Sequence, residues 1–430
     1  MRMRKYRKIP ALFLSAVLLL GMVSCGQGAM NPPADSTDVS SQTERRDTVA
    51  SSDSGNASSE ESTSENGEIL EWPKEFYMEL DLVNTYSKLV YDKELTVAFL
   101  GGSVTAGAFA SDYSKCWAGL TASWLRAQYP QARIRSVDAG WGGTGISMGC
   151  YRLQEEIISQ KADLVFVEFA INDYYDGTKP DDIVAYAESL IQKLYVADPT
   201  TEVVFVLVSE KTASANQKHR EAYLKVAEEY RIPVVDISTA LTDYLTRENQ
   251  KWEDLIADVV HPNDRGHAFY AEQVENVLSD CFRRDAEAVF DKTVYHRPLP
   301  ENTLSTRDFT KAHLLKAKEI PLSETDGFRL TTDSNCRYGQ YITGSVGAEL
   351  TLTFSGTDIG IVFWKDSSCG TIEYSIDGGE SQTLEVLGSN DNGRKMLFGN
   401  LDNSKHTITI RVTSKGVKLQ AIAINGELHS

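Results

Sequence analysis

Residues 95–100, Leu-Thr-Val-Ala-Phe-Leu, are apolar and β-branched, without the polar alternation of a strand that has one wet face. A run of this kind belongs in a parallel sheet covered on both sides. Residues 162–169, 201–209 and 232–237 read the same way, and helical patterns at 221–230 and 267–282 fall between and after them. Alternating strands and helices predict a three-layer α/β/α domain built on a doubly wound parallel sheet. Trp117, Trp124 and Leu125 lie at helical spacing and fit the buried face of a covering helix.

In such sheets ligands bind outside the carboxyl ends of the strands. Four short segments occupy those places: Gly101-Gly102-Ser103 after the first strand, the glycine-rich loop from Val137 to Gly145, Ala170-Ile171-Asn172-Asp173 after the 162–169 run, and Asp258-Val259-Val260-His261 before the last helix. Taken singly each has an ordinary reading: Ser103 and Asn172 as turn residues, Asp258 as a cap or loop acid, His261 as a surface residue before Pro262. Together they supply the parts of a nucleophilic site. A serine hydroxyl is a poor nucleophile near neutral pH and needs an imidazole to take its proton and return it to the leaving alcohol. A carboxylate three residues before the histidine can reach the other ring nitrogen and fix its tautomer. Glycine-flanked amides can face a developing oxyanion.

The order and content of these four blocks resemble the SGNH hydrolase superfamily, the GDSL-type esterases, over residues 94–284. The resemblance implies a flavodoxin-like α/β/α fold and carboxylic ester hydrolysis without a cofactor. It implies Ser103 as nucleophile, His261 as base, Asp258 as its orienting carboxylate, and Ser103, Gly143 and Asn172 as oxyanion-hole donors. Trp141, beside the oxyanion glycine, and Tyr174 are candidates for lining the substrate cleft. The chain departs from the family pattern at Gly102, where many members carry Asp before the serine, at Ala170 in place of glycine, and at Asp138 in place of asparagine. None of these removes a group that does chemistry. His267 reads as a packing or capping residue, and no His, Cys or carboxylate spacing suggests a metal.

Beyond the helical region the pattern changes to short strands at 350–354, 359–364, 371–376, 406–412 and 419–424, with turn chemistry at Ser355-Gly356-Thr357 and Asp377-Gly378-Gly379. This predicts a β-sandwich, which resembles the jelly-roll domains accompanying some carbohydrate esterases; glycan binding and structural bracing are both open to it. Cys336 and Cys369 are candidates for a bridge in an oxidising exterior, although an odd cysteine remains if Cys25 is modified.

The amino terminus carries Arg2, Arg4, Lys5, Arg7 and Lys8 before an apolar run at 11–20, a signal-peptide pattern too short for a membrane span. Met22-Val23-Ser24-Cys25 resembles a bacterial lipoprotein processing site with Cys25 as the lipidated residue. From there to about residue 67 the composition is too polar to bury a core and predicts a disordered tether. The expected organisation is a signal peptide over 1–24, lipidated Cys25 and linker over 25–68, an SGNH hydrolase domain over 69–284, a connector over 285–326 and a β-sandwich over 327–430. A formal charge of -18 lacks the basic footprint a nucleic acid requires. The expected protein is an extracytoplasmic, membrane-tethered serine esterase removing small acyl groups, acetyl foremost, from polysaccharide. A lipase or thioesterase with the same site, and a non-catalytic glycan-binding lipoprotein, are the alternatives.

Overall fold

The computed structural model describes residues 81–429 apart from 209, 290, 291, 293, 323 and 324. The expected signal peptide, Cys25 and the polar linker lie outside the described residues.

The first half alternates strands and helices. A short α1 (Val83–Ser87) leads into β1 (Glu94–Gly101), α2 (Trp117–Gln128), β2 (Arg133–Gly140), α3 (Ile146–Glu156), β3 (Leu164–Glu168), α4 (Ala170–Tyr175), α5 (Pro180–Ala197), β4 (Glu202–Leu207), α6 (Gln217–Tyr230), β5 (Val234–Asp236), α7 (Ile237–Arg247) and α8 (Asp264–Ala288). The five strands form one parallel sheet in the order β2-β1-β3-β4-β5. This is the flavodoxin-like order, whose chain path reverses between β1 and β3. Side chains of β1 divide between two cores: Val97 and Phe99 pack with Trp117, Phe166 and Tyr270, while Ala98 and Leu100 pack with Tyr151, Val165 and Phe205. That division is why the run at 95–100 shows no polar alternation. Trp117 and Leu125 are fully buried, as their helical spacing predicts, and Trp124 is partly buried against the same core.

The segment after α8 runs back across the α/β domain. Its Arg297 pairs with the fully buried Glu202 at 2.7 Å, and the amides of Leu304 and Ser305 donate to Glu188 on α5. It then forms β6 (Ala312–Lys316), followed by β7 (Thr325–Thr332), β8 (Gln340–Lys365), β9 (Thr371–Ile376), β10 (Gln382–Glu385), β11 (Asp391–Phe398), β12 (Ser404–Ser414) and β13 (Gly416–His429). These strands make the C-terminal β-sandwich, with β6 on the edge beside β13 and both β7 and β11 paired to β8.

Two details differ from the sequence expectation. Ser355-Gly356-Thr357 is not a turn, because β8 continues through it. Glycine is needed there for close approach, since a Cβ on Gly356 would lie 2.1 Å from the Asn425 carbonyl oxygen on β13. Cys336 and Cys369 do not bridge: both are free and buried, with their thiols directed at the carbonyls of Asp333 and Trp364. By contrast Asp377-Gly378 does turn the chain between β9 and β10, with φ of 53° and 69° at the two positions.

Candidate active site

Ser103 sits two residues beyond the end of β1, at the edge where the sheet's path reverses. The Gly102 amide donates to the Glu168 carbonyl at the end of β3, and the Ala108 amide closes the turn onto the Ser103 carbonyl. The hydroxyl of Ser103 lies 2.8 Å from His261 Nε2. His261 Nδ1 lies 2.7 Å from Asp258 Oδ2. These bonds set the tautomer: Nδ1–H donates to the carboxylate and Nε2 accepts from the serine hydroxyl.

The loop that carries the last two groups is tightly closed. The Ala257 amide donates to the His261 carbonyl and Ile256 bridges to Pro262. Asp258 Oδ1 accepts from the amides of Val260 and His261, each at 2.8 Å. Partial burial pushes the Asp258 carboxyl up, but the His261 and Val260 amides and the imidazole outweigh it and hold the group below the usual aspartate range. Asp258 is therefore ionised where it faces the imidazole.

Three donors lie on the segments next to the serine. The amides of Ser103 and Gly143 donate to no acceptor among the described residues, nor does the side-chain amide nitrogen of Asn172. Gly143 holds a φ of 69°, a left-handed conformation that opens the loop after β2. A Cβ on Gly142 would lie 3.7 Å from the Ser103 Cβ, so this loop packs directly against the serine. Asn172 projects from α4 across Gly102: a Cβ there would meet Asn172 Oδ1 at 2.1 Å. The glycine found where many GDSL members carry Asp is thus the space into which the asparagine fits.

Two buried carboxylates brace the segments around the serine. Glu168 accepts from the Thr105 hydroxyl at 2.9 Å, and burial pushes its carboxyl up to about 8. Asp173 accepts from the Ile146 amide at the start of α3 and from the Tyr223 hydroxyl, and burial pushes it up to about 7. His267 is buried behind the Ser103 loop; its Nδ1 accepts from the Trp117 amide and its Nε2 donates to the Ala108 carbonyl. It is a packing residue, as the sequence predicts.

Of the two cleft-lining candidates, Trp141 is buried and Tyr174 is half-buried. Trp141 is 6% exposed, within the core, and Arg337 from the β-sandwich lies over its ring at 4.8 Å. The glycines around it suggest an open loop, but contact with a distant part of the chain closes that face. Tyr174 packs edge-on against Tyr175 and His219.

Residues with no sequence signal complete the surroundings. Arg337 makes two 2.8 Å bonds to Glu156, which also pairs with the fully buried Arg152; Arg152 in turn donates to the carbonyls of Gly101 and Ala139 at the ends of β1 and β2. The β-sandwich is thereby tied to the loops that flank the serine. On β11, Arg394 stands over the loop after β2, its terminal nitrogens 3.8 Å from where a Cβ of Gly143 would be. Phe109, in the loop after Ser103, is 57% exposed and stacks on the His261 ring. Among the described residues no group of three or more His, Cys, Asp or Glu is placed to hold a metal ion.

Residues 99–269 match the GDSL-like Lipase/Acylhydrolase family. No curated protein matches the chain. In fold, the chain is similar to a solved structure described as a two-domain esterase (CEX) active on acetylated mannans, co-crystallized with mannopentaose. The two are 20% identical, with a TM-score of 0.67, over 84% of this chain and 100% of the other. A second structure described as the two-domain esterase is 22% identical, with a TM-score of 0.65, over 82% of this chain and 99% of that one.

Proposed function

We propose that this chain, whose α/β domain is an SGNH/GDSL-type acylhydrolase, is a serine esterase that removes acetyl groups from polysaccharide. The observation that carries the reading is the hydrogen-bonded series Ser103–His261–Asp258 at the reversal point of the sheet, with three nearby donors that have no acceptor among the described residues. In this reading the Ser103 oxygen attacks the ester carbonyl as its proton passes to His261 Nε2. The carbonyl oxygen, now an anion, is held by the amides of Ser103 and Gly143 and by the Asn172 amide. Collapse breaks the bond to the sugar oxygen, which leaves with the proton from Nε2. Water then attacks the acyl-serine with His261 again as base, releasing acetate and restoring the hydroxyl. Asp258 stabilises the imidazolium in both halves.

The polysaccharide preference is supported by the two-domain architecture, shared with structures described as active on acetylated mannans. Export and a lipid anchor on Cys25 are supported by the basic and apolar amino-terminal pattern. The test is acetate release by the full chain and by Ser103→Ala across acetylated glycans and short and long acyl esters. Acetylated glycan should be the preferred substrate, and the variant should lose at least a thousandfold, an order of magnitude set by loss of the nucleophile. Full activity in Ser103→Ala would rule out this nucleophile, and a preference for long acyl chains would overturn the substrate assignment.

A further inference from the structure

We propose that Phe109 is the platform on which the departing sugar stacks, and so a determinant of specificity for carbohydrate esters. The inference rests on the esterase reading above. Its starting point is a residue that packing does not explain. Phe109 takes a φ of 64°, the left-handed region that a bulky L-residue enters only at a cost of order 1 kcal/mol or more. The residue is 57% exposed, so little apolar burial offsets that strain. A glycine or asparagine would serve the turn better.

The surroundings hold this conformation from both sides. The Ala108 amide donates to the Ser103 carbonyl, and the Ala108 carbonyl accepts from buried His267. Two residues beyond Phe109, both the amide and the hydroxyl of Ser111 donate at 2.7 Å to Asp264 at the start of α8. The loop therefore presents a fixed aromatic face beside the nucleophile.

The direction of that face matters. The Phe109 and His261 rings stack with centroids 5.5 Å apart and planes 25° from parallel. His261 Nε2 receives the serine proton and must deliver it to the oxygen that leaves, so the leaving alcohol has to come to the edge of this imidazole. An alcohol arriving there lies beside Phe109. A pyranose carries C–H groups on its ring faces, and such a face can cover an aromatic ring that water otherwise wets. A small aliphatic alcohol offers no comparable surface. The platform thus favours an ester whose alcohol is a sugar.

The test uses the full chain with Phe109→Gly, which removes the ring and relieves the strained backbone, and Phe109→Trp, which restores an aromatic face. For each, kcat/KM is measured on an acetylated manno-oligosaccharide and on ethyl acetate. The ratio of the two values should fall by about tenfold to a hundredfold in Phe109→Gly, the range one pocket contact can supply, chiefly through KM on the sugar ester. It should recover in Phe109→Trp. A ratio unchanged in Phe109→Gly, with both esters slowed equally, would mean the ring serves only the imidazole and would overturn the proposal. A second measurement separates it from the esterase reading: calorimetric binding of manno-oligosaccharide to Ser103→Ala and to Ser103→Ala/Phe109→Gly. Weaker binding in the double variant supports the platform even if turnover is absent; equal binding refutes it.

Discussion

Gly102→Ala is the smallest change that tests how the Asn172 amide serves the proposed reaction. The added Cβ would sit 2.1 Å from Asn172 Oδ1 and 3.0 Å from its Cγ. Carbon and oxygen rest about 3.3 Å apart at closest, so the Asn172 amide must withdraw by about 1 Å. The backbone offers no other obstacle, since Gly102 does not lie in the left-handed region. A misplacement of that size at a reacting group costs about a hundredfold, as does losing one oxyanion donor outright, or about 2.7 kcal/mol in the barrier. Stability should change by no more than about 1 kcal/mol, because a side-chain amide can rotate where a backbone could not. The assay is kcat on an acetyl ester for Gly102→Ala, Asn172→Ala and the double variant, with thermal melts alongside. If the clash acts through Asn172, adding Gly102→Ala to Asn172→Ala should cost almost nothing more. A Gly102→Ala enzyme that keeps a third of its turnover, or a double variant whose losses multiply, would refute the reasoning.

Arg337→Met should remove both bonds to Glu156 and uncover Trp141, destabilising the protein by about 2 kcal/mol, seen as a fall of several degrees in Tm. An unchanged Tm would show that the Glu156 network does not need its third member. Glu168 and Asp173 give a pH dependence of definite sign. Burial raises both folded-state pKa values, to about 8 and about 7, so the native state binds more protons than the unfolded chain above the ordinary carboxylate range. Their contribution is fully present below the unfolded pKa values and is lost as pH rises through 7 and 8. Denaturant midpoints measured at pH 6 and pH 9 should therefore fall less in Glu168→Gln than in the parent, and equal falls would contradict this.

The parts of this molecule legible in the sequence are those fixed by local spacing. The strand at 95–100 shows itself because both of its faces are buried, and the parallel sheet follows from the alternation around it. Asp258 and His261 are three residues apart in one closed loop, so their 2.7 Å contact needs no information from elsewhere. Ser103, Gly143 and Asn172 each follow a strand of that sheet, which brings them to one edge. What stayed hidden depends on distant partners. Trp141 sits among glycines and reads as open, yet Arg337 from nearly two hundred residues downstream covers it. Arg394 lies on β11, whose sequence DNGRKMLF has no apolar alternation to announce a strand. Phe109 falls in a turn with no periodicity, and the histidine that folds against it lies about 150 residues downstream. Gly356 carries a real signal that admits two meanings, a turn or a close approach, and only the neighbouring strand decides between them.

The core beneath α3 and α5 does not end with the α/β domain. Phe309, Ala312 and Leu314 from the returning segment, and Val362, Ala421 and Ala423 from the sandwich, belong to the same buried cluster as Tyr151, Leu190 and Phe205. The sandwich is therefore not cargo hung on a swivel. An α/β domain cut loose after α8 would bare an oily flank to water, so the two halves should melt as one.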